Sequence, residues 1–453
     1  MTQNPVKPSG FYLNYPSLDL FLYHLREGLG ESEAKIQENH QEFWSNLPSD
    51  VHVPWEKESQ EKDTDLLKLL TLISDKKTHR IPTQLDQKYP IGGYYYPVLL
   101  KDTYGLLLDV EVEDKDTYDV SCFASLKRIA DEKQGDLGKI WMISGYRDLH
   151  LNQEPIDIAQ AAYQVLMGKE WKPGNLGKGK FLGADIFDAW QSPQYWKSIT
   201  DADKSPVLII IYPNYDIMNE ARKFYNDWLR LLCYRNKILW AYSQCRKNAE
   251  TLQKRLSLLN DTILLVRESQ LNLSELKEKL KVCTDYAIQL EQLEILKQSL
   301  EINIQNYQEC LNAIVARYSK IGDTQLDFMS DFTTICKEQY LRQIIKDQAI
   351  FKSGLSILAN LINGIRALVE IEQAERDRAF QAIVGIAGVG LGSGGIVASA
   401  AANYVTEIKT TPILGNIVHE WSNLNVVLTF SILSGLFWAF LIWFIFLRKY
   451  LRK

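Results

Sequence analysis

Acidic side chains crowd one strand-like stretch of the chain and could bind a metal ion. Asp109, Glu111 and Glu113 alternate there with Val110 and Val112. Carboxylate oxygens are the ligands that Mg²⁺ and Ca²⁺ prefer, although this spacing matches no EF-hand loop. Alternation of this kind is also typical of a strand with one solvated face. The three acids are therefore candidate ligands of a divalent cation, with a solvent-exposed strand face as the alternative.

A second stretch that could do chemistry is glycine-rich and basic. Residues 174–181 match the phosphate-loop pattern GxxxxGK, in which backbone amides hold phosphates and the lysine reaches the terminal ones. Phe181 stands where the pattern needs Ser or Thr to ligate magnesium, and residues 168–173 do not have the composition of a strand. We interpret residues 171–183 as a flexible basic surface loop rather than a nucleotide site.

Nothing else in the chain indicates catalysis. The six histidines have no metal-ligand spacing, and no GxSxG or comparable nucleophile motif is present. The six cysteines lack CxxC spacing and are expected to be reduced. A net charge of -5 gives no general attraction for nucleic acid. We predict a protein that is not an enzyme, has no resident cofactor and does not bind nucleic acid, and for which Mg²⁺ or another divalent cation is a ligand or permeant ion.

Two uncharged apolar stretches, residues 382–402 and 424–447, lie near the end of the chain. A helix needs about 20 apolar residues to cross a bilayer, so each stretch is long enough. We predict a first transmembrane helix at 379–405, an outer loop at 406–423, a second transmembrane helix at 424–447 and a basic tail at 448–453. Membrane lipid is then a partner of this part of the chain.

Basic residues near a membrane segment stay on the cytoplasmic side, which predicts the orientation. The tail carries four basic residues and no acid, whereas the loop between the stretches has Lys409 against Glu407 and Glu420. The N-terminus lacks the basic start and apolar core of a signal peptide. We expect a multi-pass protein of the plasma (inner) membrane with both termini in the cytoplasm.

Small and polar residues mark one face of the first predicted span. Glycines and Ser399 recur there at steps of three and four, which permits close packing of helices. A kinked or partly unwound segment is the alternative. Candidates for the pore-lining or oligomer face are Gly385, Gly388, Gly392, Ser393, Gly395, Ser399 and Asn403. The preceding acids Glu372, Glu375 and Asp377 are either a solvated interfacial turn or the charged vestibule of a pore.

The elements that must position these residues fall into two soluble regions. Residues 1–215 have the pattern of a cytoplasmic α/β domain, with an opening helix at 18–44 and strands at 94–100, 106–112, 139–144 and 207–212. The last strand is apolar on both faces, which predicts a central strand covered on both sides. Residues 216–378 have the pattern of a helical, partly coiled-coil stalk. Its third helix, from about residue 326, has no breaker before the first apolar stretch.

The order of these elements resembles that of the CorA-type magnesium channel superfamily. The stalk helix that leads into a span, the short outer loop, the second span and the basic tail at 448–453 carry the likeness. The resemblance implies a homopentamer in which residues 385–403 of the first span line the pore. The family's Gly-Met-Asn signature is absent, and Ala402-Asn403-Tyr404 stands in its place.

The sequence predicts an α+β multi-domain membrane protein that forms homo-oligomers, with a pentamer as the state implied by the resemblance. The leading function is a cation channel or transporter gated by its cytoplasmic domain. The alternative is a membrane-anchored signalling or defence effector, whose N-terminal domain senses a ligand and whose glycine-rich hairpin perturbs the membrane. An anchored scaffold without ion flux is a third interpretation.

Overall fold

The computed structural model describes residues 9–28, 32–48, 68–69, 80–86, 89–113, 116–130, 133–171, 176–189, 206–267 and 273–355. They contain one mixed sheet with helices on both faces, and long helices that follow it. The prediction of an α/β region followed by long helices is thereby confirmed. No helix among the described residues is long and apolar enough to cross a membrane. The predicted spans at 379–405 and 424–447, the loop at 406–423 and the tail at 448–453 lie outside the described residues.

The sheet comprises ten strands in the described part of the chain. Their order is β2–β4–β5–β1–β7–β10–β9–β8, with β3 also paired to β4 and β6 to β1. Every pairing is antiparallel except that of β10 with β7. The strands are β1 Tyr12–Leu25, β2 Lys68–Leu69, β3 Arg80–Asp86, β4 Tyr89–Leu100, β5 Thr103–Val112, β6 Thr117–Asp119, β7 Gly138–Tyr146, β8 Leu176–Phe181, β9 Ala184–Ala189 and β10 Val207–Tyr212.

The helices are α1 Glu33–Trp44, α2 Phe123–Ala130, α3 Pro155–Met167, α4 Tyr215–Ala221, α5 Tyr225–Arg267, α6 Leu273–Tyr318 and α7 Asp327–Ile335. A π-helical segment, Cys336–Leu341, follows α7, and residues 342–355 continue as α-helix. Neither α5 nor α6 contains glycine or proline, the residues least favourable in a helix interior. The predicted three-helix array is confirmed as far as residue 355.

All four predicted strands are present, and β10 lies inside the sheet between β7 and β9 as expected. One face of β10 joins a core with α2 and α3 that includes Ile209. On the other face of the sheet Tyr23 of β1 donates a 2.8 Å hydrogen bond from its hydroxyl to the carbonyl of Leu229 in α5. Both faces are therefore covered by helices, as the apolar composition of β10 predicts.

The predicted opening helix at 18–44 is wrong in its first part. Residues 12–25 form strand β1, and only Glu33–Trp44 is helical, with Ser32 accepting a hydrogen bond from the amide of Lys35 at its start. Strand β1 lies in the middle of the sheet, so that Leu18, Leu20 and Leu22 on one side and Phe21 on the other are all buried. In a strand that is buried on both faces, apolar and polar residues no longer alternate. Some of the apolar residues of β1 are then spaced as in an amphipathic helix.

The glycine-rich stretch interpreted as a flexible loop also differs from expectation. Residues 176–181 form β8, which pairs with β9 through a turn in which Leu182 and Gly183 have φ of 53° and 85°. Such a turn with two positive φ values is typical of tight hairpins. These residues therefore match the phosphate-loop pattern in sequence only, because they form a strand of a hairpin.

Gly179 of this hairpin has a packing role that a single substitution can test. A Cβ added there would lie 2.2 Å from the backbone carbonyl oxygen of Gln325 and 2.9 Å from the Phe328 ring, while the amide of Lys180 donates to that same carbonyl oxygen. We expect Gly179→Ala to destabilise the full chain by about 1–3 kcal/mol, the range for overpacking. Urea unfolding in detergent micelles measures the loss.

Gly168→Asn is the matched control, because Gly168 has φ of 67° at the end of α3 and no atom within 4 Å of an added Cβ. Asparagine tolerates this conformation, so its effect should be small. Equal stability of Gly179→Ala and the wild type would contradict the packing role.

Contacts divide the chain into two compact units. Of the described residues, the first unit comprises those up to 246 and those at 296–344, and the second comprises those between 247 and 295 and those at 345–355. Within the second unit the Tyr286 hydroxyl donates to the carbonyl of Phe351 at 2.7 Å, and Lys352 pairs with Glu294 at 3.3 Å. The sheet, α1 to α4 and α7 all belong to the first unit.

Candidate functional site

The acids predicted on β5 lie on a buried face of the sheet. Asp109 is 4% exposed, and Glu111 is half-buried. The expected alternation is present, because Leu108, Val110 and Val112 join the core on the opposite face. The solvent-exposed face considered as the alternative is therefore wrong for Asp109. Burial of a carboxylate is costly unless a partner compensates it, so the surroundings of these acids decide what they can do.

Asp109 lies directly opposite a second aspartate. In the antiparallel pairing of β1 with β5, Asp19 is the register partner of Asp109. Asp19 is fully buried, and the two carboxyl groups lie within hydrogen-bonding range of each other. The Tyr225 hydroxyl, at the first residue of α5, donates to Asp19 Oδ2 at 2.7 Å. The sheet and the start of α5 therefore meet at this pair.

Glu111 is compensated by a cation. Arg222, in the 3-10 turn between α4 and α5, donates from Nη2 to Glu111 Oε2 at 2.9 Å. The Tyr15 hydroxyl donates to Glu111 Oε1 at 3.2 Å, and the guanidinium carbon of Arg222 lies 4.7 Å from the centre of the Tyr15 ring. Tyr15 has φ of 53° at a register shift of β1, so a bulge turns it toward Glu111 and Arg222.

Glu113, the third predicted acid, follows the end of β5 and forms an ion pair with Arg80 of β3. Its carboxylate lies against Gly92, where an added Cβ would meet it. In the described part of the chain no group of three or more His, Cys, Asp or Glu side chains is arranged to hold a metal ion. Glu111 and Glu113 instead each have an arginine partner.

Burial controls the protonation of the aspartate pair. It raises the pKa of Asp19 to about 7, against the opposing hydrogen bond from Tyr225. Burial and the nearby charges of Asp19 and Glu111 raise the pKa of Asp109 well above its usual range. Burial also raises the pKa of Glu111, while Arg222 opposes the shift. Two carboxyl groups in contact cannot both ionise cheaply.

Several oxygens around the pair have no hydrogen-bond partner. They are Asp19 Oδ1, Asp109 Oδ1, Ser17 Oγ and Ser144 Oγ. Ser17 precedes Asp19 by two residues on β1 and is the register partner of Ser144 on β7. Both serines are 1% exposed. Unpaired buried oxygens are rare, and these four lie on one face of the sheet, so this part of the sheet is a buried polar site.

A second buried polar contact lies elsewhere in the first unit. Arg235 of α5 is fully buried and donates from Nη1 to Oδ2 of Asp188 of β9 at 2.8 Å. Its guanidinium carbon lies 5.0 Å from the centre of the Phe332 ring in α7. This ion pair connects the sheet, α5 and α7, and we assign it a structural role.

The other predicted site residues lie outside the described residues. They are the span residues Gly385, Gly388, Gly392, Ser393, Gly395, Ser399 and Asn403, and the vestibule acids Glu372, Glu375 and Asp377. Sequence reasoning missed Asp19, Tyr15, Arg222 and Tyr225. The alternation of Asp19 with Leu18 and Leu20 was a signal for a strand, but the helical interpretation of that segment hid it.

Comparison of the chain with known protein families, with characterised proteins and with solved structures finds no match.

Proposed function

We propose that the protein is a homo-oligomeric, CorA-like cation channel or transporter of the plasma (inner) membrane, gated by its cytoplasmic part. In this proposal residues 379–405 and 424–447 cross the membrane, and both termini are cytoplasmic. The first span supplies the pore, and Glu372, Glu375 and Asp377 form its vestibule. No catalytic step is assigned to the described residues.

The observation that carries the proposal is the helix at the end of the described residues. Residues 327–355 are helical with one π-helical segment, and residues 356–381, which precede the first apolar stretch, contain no proline. A helix that continues into a span would transmit motion of the cytoplasmic part to the membrane. The helical array that packs beside it, α5 and α6, supports the comparison with a gating stalk.

A pore also requires association of several chains. Two spans per chain are too few to enclose a pore, so a channel must be an oligomer, and closed ring symmetry is the usual solution. The small residues of the first span at steps of three and four support close helix contacts. A pentamer, the state implied by the resemblance, would have a mass of five times the 52.1 kDa chain.

The first test is the mass of the detergent-solubilised particle by light scattering, with and without millimolar Mg²⁺. A defined particle of five chains supports the proposal. A monomer or dimer under both conditions would remove the pore and leave the anchored effector or scaffold.

Flux through liposomes tests conduction directly. We expect the wild type to pass divalent cations and Gly392→Asp to lose at least 90% of that flux, because a buried charge in a packed span is costly and disrupts the small-residue face. Gly392→Ala is the matched control and should keep most of the flux. Equal flux in the wild type and Gly392→Asp would exclude the first span from the pore.

Expression experiments separate the channel from a membrane-disrupting effector. Six glycines within residues 385–395 favour a helix that can deform, which is the specific feature an effector would use. A channel regulated by metal ions should be tolerated by the cell, whereas an effector should stop growth once triggered. Growth arrest that Gly392→Asp relieves, without metal-dependent flux, would favour the effector.

A further inference from the structure

The aspartate pair has two carboxylate oxygens without a hydrogen-bond partner. It also lies in a cluster with more acidic groups than nearby arginines, and both features point to a bound proton. Asp19 Oδ1 and Asp109 Oδ1 each lack a partner, although their carboxyl groups are neighbours across β1 and β5. A single proton shared by the two carboxyl groups would give the pair one donor and one acceptor, and so one hydrogen bond between them.

Charge balance supports the same conclusion. If Asp19, Asp109 and Glu111 were all ionised, three buried or half-buried carboxylates would share the guanidinium of Arg222, while Arg80 is paired with Glu113. Burial makes that excess negative charge costly, and protonation is the usual outcome. The groups that face the pair from the surrounding elements are Tyr94 of β4, Glu111 of β5, Tyr212 of β10, Arg222 and Tyr225.

We propose that Asp109 carries a proton at neutral pH and donates it to Asp19 as a carboxyl–carboxylate hydrogen bond, and that loss of this proton releases the start of α5 from the sheet. Asp19 accepts at the same time from the hydroxyl of Tyr225, so it links strand β5 through β1 to the first residue of α5. Two ionised groups at this contact would repel each other and separate. The aspartate pair is then a proton-sensitive latch, and this inference stands whether or not the chain conducts ions.

Two buried serine hydroxyls lie on the same face of the sheet as the aspartate pair. Ser17 Oγ and Ser144 Oγ are buried without partners on the same face of the sheet as the pair. A hydroxyl can donate to a carboxylate when the latch changes its protonation state. The site therefore holds donors that can partly compensate Asp19 and Glu111 within the buried face.

Infrared spectroscopy of the full chain in detergent micelles tests the bound proton. At pH 7.5 the wild type should show the C=O band of a protonated carboxylic acid, and Asp109→Asn should lose it. Asp136→Asn is the control, because Asp136 is another carboxyl group of the first unit whose pKa burial raises. The Asp109 band should remain in that variant. Absence of a band that depends on Asp109 would overturn the proposal.

Hydrogen exchange tests the release of α5. In the wild type we expect amides at the start of α5 to exchange at least tenfold faster at pH 9 than at pH 6, after correction for intrinsic rates, relative to amides of α3. Asp109→Asn, which keeps the shape of the protonated side chain, should remove this difference. Asp19→Asn provides a second variant if the first fails to fold.

An identical pH response in the wild type and the folded variant would overturn the latch. A divalent cation is the competing ligand, and Mg²⁺ alone is the probe. If millimolar Mg²⁺ at pH 7.5 removes the Asp109 band and protects the start of α5, the pair is a cation site and the proton proposal is wrong. Unchanged spectra and exchange with Mg²⁺ support the proton.

Discussion

Replacing Arg235 with methionine is expected to lower the free energy of unfolding of the full chain by about 3–5 kcal/mol, the cost of breaking a buried ion pair on one side. The substitution keeps an unbranched side chain but leaves the Asp188 carboxylate, which is 6% exposed, without its cation. Loss of the hydrogen bond at 2.8 Å alone would cost less. Urea unfolding followed by near-ultraviolet circular dichroism measures the change.

The double variant Arg235→Met with Asp188→Leu is the decisive control. Replacement of a whole buried ion pair by apolar residues is often neutral or stabilising, so the double variant should recover most of the lost stability. Lys223→Met, which breaks an exposed pair with Glu220, should change stability by less than about 1 kcal/mol. A double variant as unstable as Arg235→Met would show that packing on Phe332, and not charge, explains the loss.

The second large effect is a stabilisation. Asp19→Asn is expected to raise the free energy of unfolding at pH 8 by about 4 kcal/mol relative to the wild type and to have little effect at pH 4. Burial raises the pKa of Asp19 from 3.8 to about 7 in the folded chain. The folded state therefore binds more protons than the unfolded state between these values, and stability falls as pH rises through that window. A shift of one pKa unit corresponds to about 1.4 kcal/mol.

The measurement is urea unfolding of both proteins in detergent between pH 4 and pH 8. Their difference should grow steadily up to about pH 7 and then remain constant. A difference independent of pH would mean that Asp19 keeps an ordinary pKa in the folded state.

Asp119→Asn is a control for which the expected change in stability at pH 8 has the opposite sign. Burial alone would raise its pKa, but hydrogen bonds from Ser121, Ser9 and Gly10 outweigh that effect and lower it. Its contribution to stability is present above about pH 4 and is lost as pH falls below that value. Asp119→Asn should therefore destabilise the chain at pH 8, where Asp19→Asn stabilises it.

Two buried polar contacts hold α5 against the sheet. Arg235 and Asp188 form a buried ion pair, which is expected to persist over the physiological pH range because arginine stays protonated. Asp19 and Asp109 hold α5 through Tyr225 by a contact that depends on one proton. Protonation of the aspartate pair can therefore change how the N-terminal end of α5 packs on the sheet.

Local signals were sufficient for most of the described elements. The strands at 94–100, 106–112, 139–144 and 207–212 were predicted because short apolar runs lie between turn residues. The helical character of α5 and α6 follows from one long stretch, residues 214–321, without glycine or proline. These features depend on a few neighbouring residues, so the sequence alone contains the information.

The predictions for two segments were wrong because burial in the tertiary structure changed the sequence pattern of each. Strand β1 is covered on both faces, which removed its alternation and made residues 18–25 resemble a helix. Strand β8 carries Gly177 and Gly179, which fit close against Phe328 and Gln325. Glycines at a close approach look the same in sequence as glycines in a flexible loop.

The amino-acid sequence by itself determined the α/β region, the long helices, the apolar stretches near the C-terminus and the acidic alternation of β5. Only the tertiary structure decided that Asp109 faces Asp19 and that Arg222 neutralises Glu111. Asp19 and Asp109 lie 90 residues apart, and their contact depends on the register between β1 and β5. That register follows from which faces of both strands are buried and from where the helices pack, a property of the whole sheet and not of either segment.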